Sequence, residues 1–389
     1  MQFEFYVPTR IVFGEGTLKE LATRPLPGNR ALLVTSSGHS AERSGALGAV
    51  TGALAAQGAQ WVLFNQIGAN PDLPAVNLGA AVARENKCDF VIALGGGSVM
   101  DASKAIALTA PNGENYWDFV AAGTGGGKPV TNSPLPIIAI TTTAGTGSEA
   151  DATAVVTNPD TEEKIGFVHR GMFPVLSIVD SSLTRGIPQK LTAFQGFDAL
   201  FHATECYVSN KANKMSEMLS LTSMEYCAKY LARAVSDGQD AEARDGMSFA
   251  NTLSGMVMTL SGTTSKHGME HAMSALSPAL PHGAGLLMLA PAYYGFMLER
   301  HVCDDRFVRM AQAMGRPLAS RPQEFIEILF GLMRECGVDG LKMSDYGIMP
   351  ENFPSLAQNA MSSMKRVFLN DRLPLTEDDV VEIYTKSYR

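Results

Sequence analysis

Positive charge, cysteine and histidine are all scarce in this chain. Lys and Arg number 31 against 39 Asp and Glu, and the net charge is −8. No strong basic run occurs, which argues against gripping a nucleic-acid backbone as the main task. Five cysteines, Cys88, Cys206, Cys227, Cys303 and Cys336, are scattered, odd in number and free of any Cys-x-x-Cys pair. That pattern excludes a disulfide framework and fits buried thiols in a reducing, cytoplasmic compartment. Long apolar runs are missing too. The longest, GAGLLMLAPAYYGFML at 283–298, is too short for a membrane span and contains Pro291. The opening MQFEFYVPTR has neither a basic stretch nor an apolar one after it, so no secretion signal is expected.

What is present is enough for two folded domains. A chain of 389 residues exceeds one ordinary core, and 46% hydrophobic with 18% charged residues suits a packed interior. Up to about residue 185, short apolar runs alternate with helical stretches. RALLVTSS (30–37), AQWVLFN (59–65), DFVIALGGGS (89–98) and PLPIIAITTTAGTGSE (134–149) read as strands entering small-residue loops. Ala-rich segments at 47–57 and 73–86 read as helices between them. Alternation of this kind implies a parallel sheet wrapped by helices. Beyond Pro188 the composition favours helices, and LTEDDVVEIYTKSY (375–388) reads as the last of them, with Thr376 as cap and Asp379 three residues on. Most of the 20 methionines fall in this half, many at helical spacing, and read as deformable core filling. The expected domains are therefore 1–185, α/β with a Rossmann-like parallel sheet, and 186–389, all-α.

Two loops carry chemistry in the first half. VIAL runs into Gly95-Gly96-Gly97-Ser98, and a helix follows. Glycines let a backbone approach an anion, and a helix N-terminus offers N–H groups and partial positive charge. A phosphate cradle and a tight strand-to-helix turn both fit, although a turn needs fewer glycines. This loop is neither the GxGxxG fingerprint nor a P-loop. TTTAGTGSE (141–149) adds hydroxyl residues and two glycines after a second buried strand, readable as a ligand loop or as ordinary capping. Two such loops at the carboxyl ends of parallel strands converge on the usual crevice of an open sheet and together suggest a nucleotide with a pyrophosphate. The first strand leaves through Ser36-Ser37-Gly38 with Arg43 nearby and no acidic residue at its end, which permits a 2′-phosphate without demanding one.

The second half holds a crowd of histidines. The whole chain has seven, and three of them, His267, His271 and His282, lie in SKHGMEHAMSALSPALPHG (265–283). His267 and His271 are i, i+4, as are Asp198 and His202 in FDALFHATECYVS; such pairs share a helix face. His282, between Pro281 and Gly283, reads as a turn or helix start. One such pair is usually a surface pair, and HGMEH lacks the glutamate position of the HExxH zinc motif. Two pairs and a further histidine in one half are a plausible set for a first-row divalent metal.

GGGSVMDASKA, TTTAGTGSE, FDALFHATECY and KHGMEHAMSALSPALPHG, in that order, resemble the iron-containing (group III) alcohol dehydrogenase family. FYVPTRIVFGEGTLKEL and RVFLNDRLPLTEDDV resemble the family's two ends, so the likeness spans nearly the whole chain. The resemblance implies a dinucleotide-binding α/β domain and a helical domain holding one divalent metal, the dehydroquinate synthase-like fold. It implies Asp198, His202, His267 and His282 as ligands of Fe2+ or Zn2+, with His271 beside nicotinamide and substrate. It implies Gly96, Gly97 and Ser98 at the pyrophosphate of NAD or NADP, Thr142 and Thr143 along the cofactor, Lys164 towards the ribose and Asn70 near the adenine-side ribose. Ser36 stands where NAD-linked members often carry Asp, and the stretch between His271 and His282 varies in length among members.

The expected activity is hydride transfer between nicotinamide and a small alcohol or aldehyde, with the metal as Lewis acid and His271 as proton relay or positioning group. A dehydroquinate synthase-like or glycerol dehydrogenase-like enzyme of the same fold is the alternative, and a non-catalytic nucleotide-binding protein stands behind both. A homo-oligomer is implied by the resemblance alone; neither a nucleic-acid nor a membrane partner is expected.

Overall fold

Buried apolar runs become the six parallel strands of one sheet, ordered β1-β8-β5-β4-β2-β3. They are β1 (Arg10–Phe13), β2 (Arg30–Ser36), β3 (Gln60–Ile67), β4 (Phe90–Gly95), β5 (Ile137–Thr141) and β8 (Leu176–Val179), with an antiparallel hairpin of β6 (Thr153–Asn158) and β7 (Glu163–Val168). The computed structural model describes residues 2–389. Every residue of β4 and β5 is buried, as central strands covered on both faces require. Period-two alternation sends Leu32, Val34, Val91 and Ala93 to one face and Ala31, Leu33, Ile92 and Leu94 to the other. Helices α1 (Ser40–Arg43), α2 (Ala46–Ala56), α3 (Leu73–Glu85) and α4 (Gly97–Asn112) alternate with the strands. β3 and β4 lie on opposite sides of β2, so the strand order reverses there, the usual place for a ligand in a doubly wound sheet.

The strands expected within 30–37, 59–65, 89–98 and 134–149 are found as β2 to β5. β1 and β8 span four residues each, too short for the alternation to register. They extend the sheet in parallel register, Arg10 opposite Leu176 and Ile138 opposite Leu176.

The chain forms two units. Tyr6–Thr143 and Gly147–Gly186 make the α/β unit; Ala144–Thr146 and Ile187–Arg389, with the residues up to Phe5, make the helical one. The helical unit contains α5 (Gln189–Val208), α6 (Lys214–Ser236), α7 (Ala241–Leu260), α8 (Ser265–Leu276), α9 (His282–Glu299), α10 (Asp304–Ala313), α11 (Gln323–Glu335), α12 (Phe353–Ser363), α13 (Lys365–Phe368) and α14 (Glu377–Ser387). Its core packs Phe201, Tyr294, Phe307 and Phe325 with Met224, Met269, Met273, Met297 and Met310. α5 is buried over almost all its length, its polar Asp198, His202 and Glu205 included, the mark of a central helix packed on every side. α14 starts at the expected capping box, where Thr376 Oγ1 accepts from Asp379 N at 3.2 Å and Asp379 Oδ2 accepts from Thr376 N at 2.9 Å. Pro291 is accommodated inside α9, and among the described residues no helix is long and apolar enough to cross a membrane.

One glycine fixes how closely α9 approaches α5. A Cβ on Gly283 would lie 2.1 Å from the Phe194 carbonyl oxygen and 2.7 Å from its carbon, main-chain atoms that yield only if a helix moves. Gly283→Ala is therefore expected to cost about 1–3 kcal/mol, with Tm falling by about 2–4 °C per kcal/mol. Gly295→Ala, later in the same helix with nothing within 4 Å of where its Cβ would stand, is the control and is expected to leave Tm unchanged or raised. Thermal unfolding of the two variants checks the pair.

Candidate metal centre and cofactor loops

Three helices bring three imidazoles around one carboxylate. α5 carries Asp198 and His202 at i, i+4; α8 carries His267 in its first turn; His282 is the first residue of α9. Asp198 Oδ1 lies 3.6 Å from His202 Nε2, 3.7 Å from His267 Nε2 and 3.5 Å from His282 Nε2. The His202 and His267 rings stack at 4.6 Å between centroids. Side-chain exposure is 5% for Asp198, 7% for His202 and 4% for His267, but 22% for His282. Asp198 Oδ1 and His267 Nε2 are buried with no hydrogen-bond partner, a costly state for polar atoms unless something else binds them. One carboxylate oxygen and three Nε2 donors fit a first-row divalent cation.

The far side of each ring has its own acceptor. His202 Nδ1 faces the Gly145 carbonyl at 3.3 Å, His267 Nδ1 faces Glu205 Oε1 at 2.8 Å, and His282 Nδ1 pairs with Glu270 Oε2. An acceptor at Nδ1 keeps the proton there and leaves Nε2 as the ligand atom. Glu205 and Glu270 are fully buried. Sequence reading missed both, yet spacing could have found them: Glu205 follows His202 by three on α5, and Glu270 follows His267 by three on α8. Glu205 also accepts from Thr264 N and Thr264 Oγ1, each at 3.1 Å. Buried Lys266 lies 3.2 Å from it, with its Nζ over the Phe201 ring.

Electrostatics follow from this packing. Burial alone would raise the Asp198 carboxyl, but His202, His282 and His267 hold it at about 2. Burial lowers His202 to about 4 against the pull of Asp198. Burial opposes the charge on His267 as well, but Glu205 and Asp198 outweigh it and raise this ring to about 9. Burial likewise lowers Lys266, to about 8 despite Glu205. His271, the remaining histidine of the segment, is buried on α8 with its ring 5.5 Å from that of His282.

In the α/β unit Ser36, Asn70, Gly96, Gly97, Ser98, Thr142 and Thr143 lie at or just beyond the carboxyl ends of β2 to β5, while Lys164 lies on β7 of the separate hairpin. Gly96 is the N-cap of α4 and leaves its first N–H groups without a side-chain cap, the arrangement that receives an anion. A Cβ on Gly96 would lie 2.7 Å from Thr143 Cγ2, so only glycine lets this loop pack beside Thr143. Thr142 N donates to Gly95 O at 3.0 Å, and Ser98 Oγ donates to Ala69 O, beside Asn70. Lys164 is buried on β7 opposite Thr157, whose N donates to Pro71 O at 2.9 Å. Ser36 ends β2 with its Oγ 3.2 Å from Ser40 Oγ, and Arg43 donates to the Gly38 carbonyl at 2.6 Å. Not every hydroxyl of TTTAGTGSE faces a ligand. Ser148 is bound between Lys104 Nζ and Asp101 Oδ1, both at 2.7 Å, in a buried network that includes Asp151.

The raised His267 has a measurable consequence. Its pKa without a cation lies above neutrality, so at pH 7 the ring is protonated and ligation at Nε2 must displace that proton. Cation binding at pH 7 is expected to release about one proton per site, and apparent affinity to rise roughly tenfold per pH unit up to about pH 9. Calorimetry in buffers of different ionisation enthalpy reads the proton count; a count of zero would contradict the assignment.

Known proteins share this layout. The description "Iron-containing alcohol dehydrogenase" matches residues 8–181, and "Fe-containing alcohol dehydrogenase family, C-terminal" matches residues 192–388. Alcohol dehydrogenase 4 of Saccharomyces cerevisiae is 31% identical over 386 residues, 99% of this chain and 98% of the yeast protein. A solved archaeal halo-thermophilic alcohol dehydrogenase from a Red Sea brine pool superposes with a TM-score of 0.94 at 34% identity, covering 100% of this chain and 99% of its own. Sulfoacetaldehyde reductase from Bifidobacterium kashiwanohense, solved in complex with NAD+, superposes with a TM-score of 0.85 at 29% identity over 99% and 98% of the two chains. The matches favour an alcohol dehydrogenase over the synthase-like and glycerol dehydrogenase-like alternatives. With the two family halves matched in order along a chain that aligns almost end to end, this protein belongs to the iron-containing alcohol dehydrogenase family and is an oxidoreductase of CH–OH groups.

Proposed function

We propose that the enzyme interconverts a small primary alcohol and its aldehyde with NAD or NADP, using Fe2+, or Zn2+ in its place, held by Asp198, His202, His267 and His282. The observation that carries this reading is the approach of three Nε2 atoms to within 3.5–3.7 Å of one partnerless carboxylate oxygen. When bound, the cation supplies Lewis acidity towards the substrate oxygen and the nicotinamide supplies the hydride chemistry.

The chain's own residues set the geometry. Asp198 contributes the one direct negative charge. Gly145 O, Glu205 and Glu270 hold the Nδ1 sides of the three rings, so each presents Nε2. His271 takes up or returns the hydroxyl proton at its ring nitrogen. The uncapped N–H groups of Gly97 and Ser98 bind the pyrophosphate. Thr142 and Thr143 line the cofactor's path, and Lys164 and Asn70 reach its riboses. With a neutral serine ending β2, a 2′-phosphate meets no repulsion, so both cofactors are used. A cytoplasmic homo-oligomer completes the reading, supported by the buried thiols and the family likeness.

Two experiments bear on this. Chelation is expected to abolish alcohol oxidation, and Fe2+ or Zn2+ to restore it in wild type but not in Asp198→Asn, followed by nicotinamide absorbance across a panel of alcohols and aldehydes. Full activity in metal-stripped protein would overturn the metal role. Ser36→Asp is expected to lower kcat/KM with NADPH by about tenfold or more, equivalent to about 1.4 kcal/mol of phosphate repulsion, with NADH spared. Wild type that uses NADH alone would refute the cofactor reading.

A further inference from the structure

The three imidazoles are not equally protected. His202 and His267 lie within α5 and α8, with side chains 7% and 4% exposed; His282 is the first residue of α9, and its side chain is 22% exposed. A ligand that water can reach, at the end of a helix, is the one from which a bound cation would be lost. The structure sets a specific group behind it. Glu270, on α8, is fully buried; its Oε2 accepts from His282 Nδ1 and its Oε1 accepts from Ser274 Oγ. Room for this carboxylate comes from α9 itself, because a Cβ on Gly285 would lie 2.7 Å from Glu270 Cγ and 3.0 Å from Oε1. A buried carboxylate is costly to keep. Hydrogen-bonding it to an imidazole whose other nitrogen binds a cation offsets that cost and raises the ring's basicity.

We propose that Glu270 is a positioning residue for metal retention: it locks His282, the water-accessible ligand, in its ligating tautomer and orientation, and so sets how slowly the cation leaves. α8 thereby supplies one ligand, His267, and the orienting group for a second. The proposal rests on the reading of His282 as a ligand.

The test uses full-length protein loaded with Co2+, whose visible absorption reports the ligand field, mixed with excess chelator in a stopped-flow instrument. Wild type, His282→Ala, Glu270→Gln and Glu270→Ala are compared, with thermal unfolding of each. Both Glu270 variants are expected to release Co2+ about 10–100-fold faster than wild type, with an altered visible spectrum. Gln, which keeps a neutral acceptor, should be the milder of the two. Equal release by wild type and His282→Ala would sink the ligand reading itself. Fast release by His282→Ala with wild-type rates in both Glu270 variants would sink the proposal alone. A lowered Tm in the near-isosteric Glu270→Gln with unchanged release would leave Glu270 a structural role and overturn it. Binding of two Co2+ per chain, the second lost in Glu270→Gln, would make Glu270 a ligand and overturn it too.

Discussion

The helical unit is built around one electrostatic constraint: three imidazoles aimed at a single buried carboxylate oxygen. Desolvation of Asp198 and of the buried His202 and His267 opposes this arrangement. It persists because each ring is anchored from behind and because the helices that carry the groups are themselves buried. α5 is the central member. Its Asp198, His202 and Glu205, at i, i+4 and i+7, fall on one face, while its other faces pack against aromatic and methionine side chains. Lys266, buried against Phe201 and Glu205, brings positive charge to a region otherwise rich in carboxylates. The arrangement has the charge pattern of a cation site, not of an ordinary core.

The α/β unit meets a different demand by different means. There the groups brought together are largely main-chain N–H groups, hydroxyls and small residues at strand ends, and the polar side chains with the most buried contacts serve the scaffold. Lys104 binds Ser148 Oγ, Asp151 Oδ1 and the Thr153 carbonyl at 2.7–2.9 Å, tying α4 to the segment that leads into β6. Burial raises the neighbouring Asp101 to about 6 even with Lys104 close by. The proposed anion loop offers dipoles and the proposed cation site offers charges.

The sequence disclosed these elements unevenly. Long, fully apolar runs such as VIAL and PIIAIT declared their strands because a strand covered on both faces must be continuous in hydrophobicity. RIVF and LSIV could not, because four residues at the flank of a sheet carry too little pattern. Asp198, His202, His267, His271 and His282 stood out as i, i+4 pairs and as a local crowd of a rare residue, and the family resemblance chose four of them as ligands and set His271 apart. Glu205 and Glu270 were legible in principle from helical spacing but carried no motif of their own. TTTAGTGSE read as either a ligand loop or ordinary capping, whereas Ser148 is spent on Lys104 and Asp101, and Ala144–Thr146 belongs with the helices. Contacts so distant along the chain leave no local trace.

The anchor behind His202 differs in kind from the other two. Glu205 and Glu270 are side chains, open to replacement by one codon change, and through them the donor strength of His267 and His282 can drift. The acceptor for His202 is the Gly145 carbonyl, 57 residues away, which every amino acid would supply. Selection can therefore retune two of the three imidazoles independently, while the third is inherited with the path of the backbone.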